Sequence, residues 1–167
     1  MLIYLIGYMG SGKTTAGKKL ASRLGYNFID LDDAIEKEQN LTISEIFKNN
    51  GQAEFRIIEK EALKKTFGYT NTIVSTGGGT PCFFNNMDEM NKHGKTIYIE
   101  LTPKALVSRL IGAKNKRPLI SGKSGTELLV FIKEELALRE PFYNKSHIKV
   151  SGLGLIPKTI EELISSA

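Results

Sequence analysis

The chain has 167 residues, 41% of them hydrophobic and 25% charged, which is the usual composition of one globular domain with its own core. Its single cysteine, Cys82, excludes an internal disulfide, and no apolar stretch approaches the length of a membrane span. The formal net charge of +5 fits either nucleic acid or a small anionic ligand. Because the basic residues are scattered and not interleaved with aromatics, we favour an anion pocket.

These features lead us to expect a cytoplasmic monomer that binds neither membrane nor nucleic acid. The apolar run at the N-terminus ends at Gly7 and does not have the form of a secretory signal. Cys82 is predicted to be a small buried hydrophobic residue and not a catalytic thiol. The two histidines, His93 and His147, lack the spacing of metal ligands.

The N-terminal segment combines a strand, a glycine loop and a helix. Residues 2–6 are a continuous apolar run of strand length, and the residues after the loop carry a helical apolar stripe. Between them, residues 7–14 match G-x-x-x-x-G-K-[ST], which cradles phosphates with backbone N–H groups at a helix N-terminus. We expect Lys13 to reach the β- and γ-phosphates of a nucleotide and Thr14 to bind Mg²⁺. The alternative, a glycine-rich turn with an unrelated lysine, does not explain this order of elements.

Acidic residues end the second predicted strand, residues 27–32. Asp30 and Asp32 are two apart, so on a strand their side chains would point to the same side. Ligands bind at the carboxyl ends of parallel strands, where this pair can serve a metal and a hydroxyl group. Alternatively, one or both cap the next helix, a role for which Asp33 is the better candidate.

Two helices are predicted next. A capping box at residues 42–45 begins the first, Gly51 ends it, and the second covers about 53–67. The buried stripe of the second helix consists of Phe55, Ile58 and Ala62. Arg56 lies at the edge of that stripe, and from the local sequence we favour a solvated surface pair with Glu59.

The third predicted strand, residues 72–75, runs into three consecutive glycines, Gly77, Gly78 and Gly79. Such a run allows the backbone to approach a ligand closely, or forms a second N–H concavity. The alternative is a flexible turn. A polar helix around residues 85–92 follows and ends at Gly94.

A fourth strand at residues 96–101 precedes a helix that begins with Thr102 and Pro103. The segment 112–125 then contains three glycines, three lysines, Arg117 and a proline, with few apolar residues. We expect a mobile lid there, and a solvated insertion is the alternative.

Another capping box, at Ser124, begins a helix predicted to end at Pro141. Arg139 continues the apolar stripe of this helix, so its charge needs water, a partner or a ligand, unless the helix dipole alone accounts for it. Residues 147–150 alternate like an edge strand, and a loop at 151–157 leads to a last helix. The alternation of strands and helices predicts a parallel five-stranded sheet covered by helices.

These landmarks together resemble shikimate kinase along essentially the whole chain. They are the glycine loop, Asp30-Leu31-Asp32, Phe55-Arg56, Gly77 to Gly79, Arg117-Pro118-Leu119 and Arg139. The resemblance implies an α/β fold, a P-loop three-layer sandwich of the nucleoside monophosphate kinase type, whose five-stranded parallel sheet has the order 2-3-1-4-5. It further implies one domain over residues 1–167 and transfer of the ATP γ-phosphate to the 3-hydroxyl of shikimate in chorismate biosynthesis.

The resemblance also implies residue roles. The catalytic residues would be Lys13, Asp32 and Arg117. The nucleotide would be bound by Gly10, Ser11, Gly12, Lys13, Thr14, Thr15, Arg109, Arg117 and Pro157, with Arg109 against adenine. Mg²⁺ would be held by Thr14 and Asp30, with Ser75 nearby. Shikimate would be bound by Asp32, Arg56, Gly77, Gly78, Gly79 and Arg139, with apolar walls from Phe47, Phe55, Pro118 and Leu119. Glu59 would orient Arg56.

Other functions remain open from the sequence. A gluconate or nucleoside monophosphate kinase would share the fold and the loop and differ in the acceptor. A regulatory GTPase is disfavoured because Pro118 stands where the guanine-reading motif N-K-x-D needs aspartate. A nucleotide-binding module without catalysis is disfavoured because Lys13, Thr14 and the acidic pair are all present.

Overall fold

The structure is a computed structural model that describes residues 1–112, 124–155 and 157–165. Within these residues, strands and helices alternate along the chain. The strands are β1 Leu2–Ile6, β2 Asn27–Asp30, β3 Thr72–Ser75, β4 Lys95–Glu100 and β5 Ile148–Ser151. The helices are α1 Lys13–Leu24, α2 Leu31–Gln39, α3 Ile43–Lys65, α4 Asn86–His93, α5 Pro103–Ile111, α6 Gly125–Tyr143 and α7 Pro157–Ser165. A short 3₁₀ turn covers Thr80–Cys82.

All strand pairs are parallel and the strand order is β2-β3-β1-β4-β5, which confirms the predicted fold class and order. Strand β1 is central, and every one of its residues is buried. Tyr4 and Ile6 face a core shared with α2 to α6, whereas Ile3 and Leu5 face a second core shared with α1 and α7. A strand with apolar residues on both faces is therefore required at this position.

The second strand is shorter than predicted. Strand β2 ends at Asp30 and α2 begins at Leu31, so Asp32 lies in the first turn of a helix. The Asp30 carboxylate accepts a hydrogen bond from the Asp32 N–H at 3.2 Å and caps α2. The strand assignment of Asp32 and the preference for Asp33 as the cap were therefore wrong. Asp30 is the N-cap because it is the last extended residue before α2, where its carboxylate can accept from an N–H of the first helical turn.

The region predicted as two helices is one kinked element. Helix α3 carries a non-helical residue at Gly51, with φ 80° and ψ 173°, so the predicted break is present as a kink. The capping box at Thr42 that begins the helix is confirmed, because the Thr42 side chain accepts from the Glu45 N–H.

Helix α6 begins at the predicted capping box on Ser124 but does not end at Pro141. It continues to Tyr143, so the predicted end was wrong. A proline near a helix end removes one N–H bond while its fixed φ still fits the helix. The fully buried Tyr143 then anchors the last turn, because its hydroxyl donates a hydrogen bond of 2.5 Å to the Gly78 carbonyl.

The predicted lid at 112–125 falls largely on residues 113–123, which lie outside the described part of the chain, as do Arg117, Pro118 and Leu119. No helix in the described ranges combines the length and apolar character needed to cross a bilayer.

Candidate active site

The glycine loop joins the central strand to α1. Gly7 has φ 142°, and a Cβ added there would lie 2.6 Å from the Ile99 carbonyl oxygen, so no side chain fits. Gly12, with φ 96°, is the N-cap of α1. The Lys13 side chain follows at once, and its Nζ donates hydrogen bonds to the carbonyls of Gly7 at 2.8 Å and Tyr8 at 2.9 Å. The loop therefore holds an ammonium group beside the N-terminus of α1, whose N–H groups and positive dipole end favour phosphate.

Three oxygen-bearing side chains meet next to this loop. Thr14 lies in the first turn of α1, and its hydroxyl donates to the Asp30 carboxylate at 2.7 Å. The Ser75 hydroxyl is 3.4 Å from that of Thr14, because Asp30 and Ser75 are opposite each other on β2 and β3. Hard oxygen ligands of this kind suit Mg²⁺. The described residues contain no group of three or more His, Cys, Asp or Glu side chains that could hold a metal. The Thr14 cluster offers one carboxylate, from Asp30, and two hydroxyl groups, from Thr14 and Ser75.

Three of the predicted shikimate-binding side chains, Asp32, Arg56 and Arg139, approach the backbone of Gly77–Gly79. A Cβ on the first glycine would lie 3.0 Å from Asp32 Oδ1, and one on the third would lie 2.6 Å from the Arg56 guanidinium. A Cβ on the second would be 3.2 Å from the Met9 N and 3.5 Å from Arg139 Nη1. These glycines thus allow Asp32, both arginines and the phosphate loop to approach one stretch of backbone.

Arg56 is not on a solvated surface. Its guanidinium donates to Glu59 at 2.7 Å, with 12% of the Arg56 side chain and 1% of the Glu59 side chain exposed. The second Glu59 oxygen accepts from the Thr80 hydroxyl at 2.5 Å. The predicted surface pair was therefore wrong, because the turn after the glycines covers Glu59. The Arg56 guanidinium also lies over the rings of Phe83, at 4.1 Å, and Phe55, at 5.1 Å.

Arg139 contacts three residues that the predictions from sequence missed, Glu135, Tyr8 and Tyr143. Its Nη2 forms an ion pair with Glu135, one turn earlier on α6. Its guanidinium lies 5.0 Å from the centre of the Tyr8 ring in the glycine loop. The four-residue spacing from Arg139 was a local signal for Glu135. No local signal pointed to Tyr8, whose burial raises the pKa of its hydroxyl to about 12.

Other predicted residues lie around these groups. Arg109 donates to the carbonyls of Ser11 at 3.0 Å and Gly152 at 2.8 Å, so it bridges the glycine loop and the loop after β5. The rings of Phe47 and Phe55 pack against each other with their centroids 4.5 Å apart and their planes tilted by 31°. Arg109 also donates to the Gly10 carbonyl at 3.4 Å, whereas the predicted nucleotide-binding residue Thr15 is exposed and Pro157 is the first residue of α7.

Cys82 follows the glycine run and is only partly buried. Desolvation is the main cause that raises the pKa of its thiol to about 11. The thiol is therefore protonated near neutral pH and is a poor nucleophile. This agrees with the prediction of a packing role, since the residue contacts the core on the α2 to α6 side.

Comparison with known proteins points to one family. The family model for shikimate kinase matches residues 9–165. A shikimate kinase from Bacteroides fragilis is 48% identical over 145 residues, which cover 87% of this chain and 81% of the relative. The crystal structure of shikimate kinase from Bacteroides thetaiotaomicron superposes with a TM-score of 0.95 at 39% identity, covering 99% of this chain and 98% of the other. Shikimate kinase from Acinetobacter baumannii in complex with shikimate has a TM-score of 0.87 at 30% identity, covering 99% and 93%. The chain therefore belongs to the shikimate kinase family.

Proposed function

We propose that this shikimate kinase of aromatic amino acid biosynthesis divides its reaction between two groups of residues that meet at Gly77–Gly79. One group binds ATP and the other binds shikimate, whose 3-hydroxyl receives the γ-phosphate. The observation that carries the assignment is the approach of Asp32, Arg56 and Arg139 to the same three glycines, next to the glycine loop. Phosphoryl transfer needs positioning and charge stabilisation more than covalent chemistry, and these residues supply both.

The nucleotide side consists of the glycine loop, Lys13 and Arg109. The loop N–H groups and the Lys13 ammonium would bind the phosphates, and Lys13 would stabilise the charge that develops during transfer. Arg109 would contact the nucleotide from its position between the loop and Gly152. Thr14 and Asp30 would hold Mg²⁺, which when bound neutralises charge on the phosphate oxygens.

The acceptor side consists of Asp32, Arg56 and Arg139. Two guanidinium groups suit one carboxylate because each presents paired N–H donors in a plane. The Asp32 carboxylate, beside Gly77, would bind the hydroxyl groups and accept the proton of the attacking one. Phe47 and Phe55 would form an apolar wall. The same proposal covers three residues outside the described ranges, namely Arg117, Pro118 and Leu119.

One assay tests the choice of acceptor. ATP consumption is measured in parallel with shikimate, gluconate and AMP. We expect ATP to be consumed when shikimate is the acceptor, and not when gluconate or AMP is. Turnover with gluconate or AMP comparable to that with shikimate would contradict the proposal.

The carboxylate clamp predicts a selective loss in Arg139→Ala. A buried hydrogen bond to a charged group is worth about 1.5–3 kcal/mol, so KM for shikimate should rise roughly ten- to a hundredfold. KM for ATP should change much less. The exposed Arg23, on α1, provides a control variant, Arg23→Ala, with the same change in net charge. An equal loss of ATP and shikimate binding in Arg139→Ala would contradict the clamp.

Substitutions of Asp30 and of Asp32 are predicted to impair activity in different ways. Asp30→Asn should raise the Mg²⁺ concentration needed for half-maximal activity, because it removes a charged oxygen from the Thr14 cluster. Asp32→Asn should chiefly impair use of shikimate. The measurement is a pair of titrations, with Mg²⁺ and with shikimate, on each variant. Identical responses of the two variants in both titrations would contradict the division of roles.

We also infer a cytoplasmic monomer. The lone cysteine suits a reducing compartment in which ATP is available. Light scattering at assay concentration tests the oligomeric state.

A further inference from the structure

We propose that Glu135 is an internal competitor of the acceptor: its carboxylate and the carboxylate of shikimate exchange on the Arg139 guanidinium. Glu135 would then set the affinity of the acceptor site and help to select for a carboxylate. This inference rests on the proposed assignment of Arg139 to the acceptor carboxylate.

The first support is the position of Glu135 on α6. The residue lies between Ile132 and Leu136, both buried, and one turn before Arg139. Its side chain is 26% exposed and that of Arg139 is 16% exposed. A surface i,i+4 pair would contribute little. This pair instead lies at a site where a second carboxylate is expected to bind.

The second support is the contrast with Glu59, the partner of the other arginine. Glu59 is 1% exposed, and both of its oxygens are bound, one by Arg56 and one by Thr80. Its departure would expose a buried charge without a partner, so it is a fixed support for Arg56. Glu135 hydrogen-bonds Arg139 alone among the described residues. Because a quarter of its side chain already meets solvent, Glu135 can turn to water without becoming a buried, unpaired charge, and the acceptor then has only to compete with its bond to Arg139.

The third support is the charge balance around the glycine run. Three cations, of Lys13, Arg56 and Arg139, and three carboxylates, of Asp32, Glu59 and Glu135, surround the glycine run. An anionic acceptor therefore meets no surplus of positive charge there unless one carboxylate moves away. Glu135 is the one that is free to do so.

The fourth support is the way in which Arg139 is held. Its guanidinium lies 5.0 Å from the centre of the Tyr8 ring, and Tyr8 is only 1% exposed. That contact does not depend on Glu135, and a cation over an aromatic face is stabilised there. Nη1 of Arg139 lies on the side of Gly78, while Nη2 binds Glu135. The arginine therefore stays in the acceptor site when its carboxylate partner is exchanged.

The test compares Glu135→Gln with Glu134→Gln. Glu134 is the exposed neighbour on the same helix, and its replacement changes the net charge equally. We expect Glu135→Gln to lower both Kd and KM for shikimate by roughly five- to twentyfold, because a competing charge is removed. Glu134→Gln should change both by less than twofold. KM for ATP should stay within twofold in either variant. With an analogue whose carboxylate is a neutral amide, Glu135→Gln should have no such effect.

Each other outcome is decisive. A higher KM for shikimate in Glu135→Gln would mean that Glu135 supports Arg139 and does not compete with the acceptor. If Glu135→Gln and Glu134→Gln change Kd and KM for shikimate equally, Glu135 acts only through the net charge of the protein, and the proposed exchange is wrong. If wild-type protein uses shikimate and its amide equally well, the carboxylate clamp itself fails, which separates that failure from a failure of the exchange. Should Glu135→Gln not fold, Glu135→Asp retracts the carboxylate by one methylene and should lower KM by a smaller factor.

Discussion

Replacement of Lys13 by alanine is expected to lower kcat by at least about a hundredfold while the protein stays folded. The Lys13 ammonium is proposed to stabilise charge that develops on the transferring phosphate. Its observed hydrogen bonds go to the Gly7 and Tyr8 carbonyls of its own loop. Helix α1 begins at Lys13, and its N-cap is Gly12. Steady-state kinetics at saturating ATP and shikimate, together with a thermal melt, measure the two effects separately.

Lys19 on the same helix provides the matched control, because it is exposed and its replacement by alanine changes the net charge equally. Lys19→Ala should retain kcat within about twofold, since a distant exposed charge is screened by salt. Near-normal turnover in a well-folded Lys13→Ala protein would refute the role of Lys13. A comparable loss of kcat in both variants would instead indicate a general effect of net charge.

Arg56→Ala is expected to destabilise the protein by about 3–5 kcal/mol, because it leaves a buried carboxylate without its partner. Glu59 is 1% exposed, and only the Thr80 hydroxyl would remain as a hydrogen-bond donor among its observed partners. The same change should raise KM for shikimate, since the guanidinium beside Gly79 is lost. Urea unfolding measures the first effect, and kinetics under conditions where the variant is folded measure the second.

The double variant Arg56→Ala/Glu59→Gln separates these two effects. Glutamine keeps an oxygen that can accept from Thr80 but carries no charge, so most of the lost stability should return. Use of shikimate should not recover, because the guanidinium is still missing. If Arg56→Ala unfolds within about 1 kcal/mol of wild type, the carboxylate of Glu59 is not a buried charge that depends on Arg56.

The nucleotide side of the site was predictable because its signals are local in the chain. Residues 2–6 are apolar without interruption, as expected of a short strand buried on both faces of a parallel sheet. Gly7 and Gly12 occupy backbone conformations that residues with side chains rarely adopt. Their spacing before Lys13 therefore predicts the loop conformation directly. The alternation of elements predicted a parallel sheet, whereas the strand order came from the resemblance to shikimate kinase.

Local patterns failed where two local structures were equally compatible with the sequence. The sequence around Asp30 and Asp32 fits either the end of a strand or the start of a helix. In the structure, Asp30 ends β2, whereas Asp32 lies in the first turn of α2. Pro141 is a sound stop signal for a helix. It was overridden because Tyr143, two residues later, reaches the Gly78 carbonyl from a buried position.

The sequence by itself determined the phosphate loop and the alternation of strands and helices, and it brought Lys13, Asp30, Asp32, Arg56 and Arg139 forward as candidate site residues. Only the tertiary structure decided which of those charges are buried and which share a pocket. Arg56 and Glu59 have the same spacing whether they are solvated or enclosed, and Thr80, 21 residues after Glu59, encloses them. Arg139 likewise meets the Tyr8 ring from the opposite end of the chain. The physical reason is that burial, and with it the strength of a charge, depends on the elements that pack against a residue and not on its neighbours in sequence.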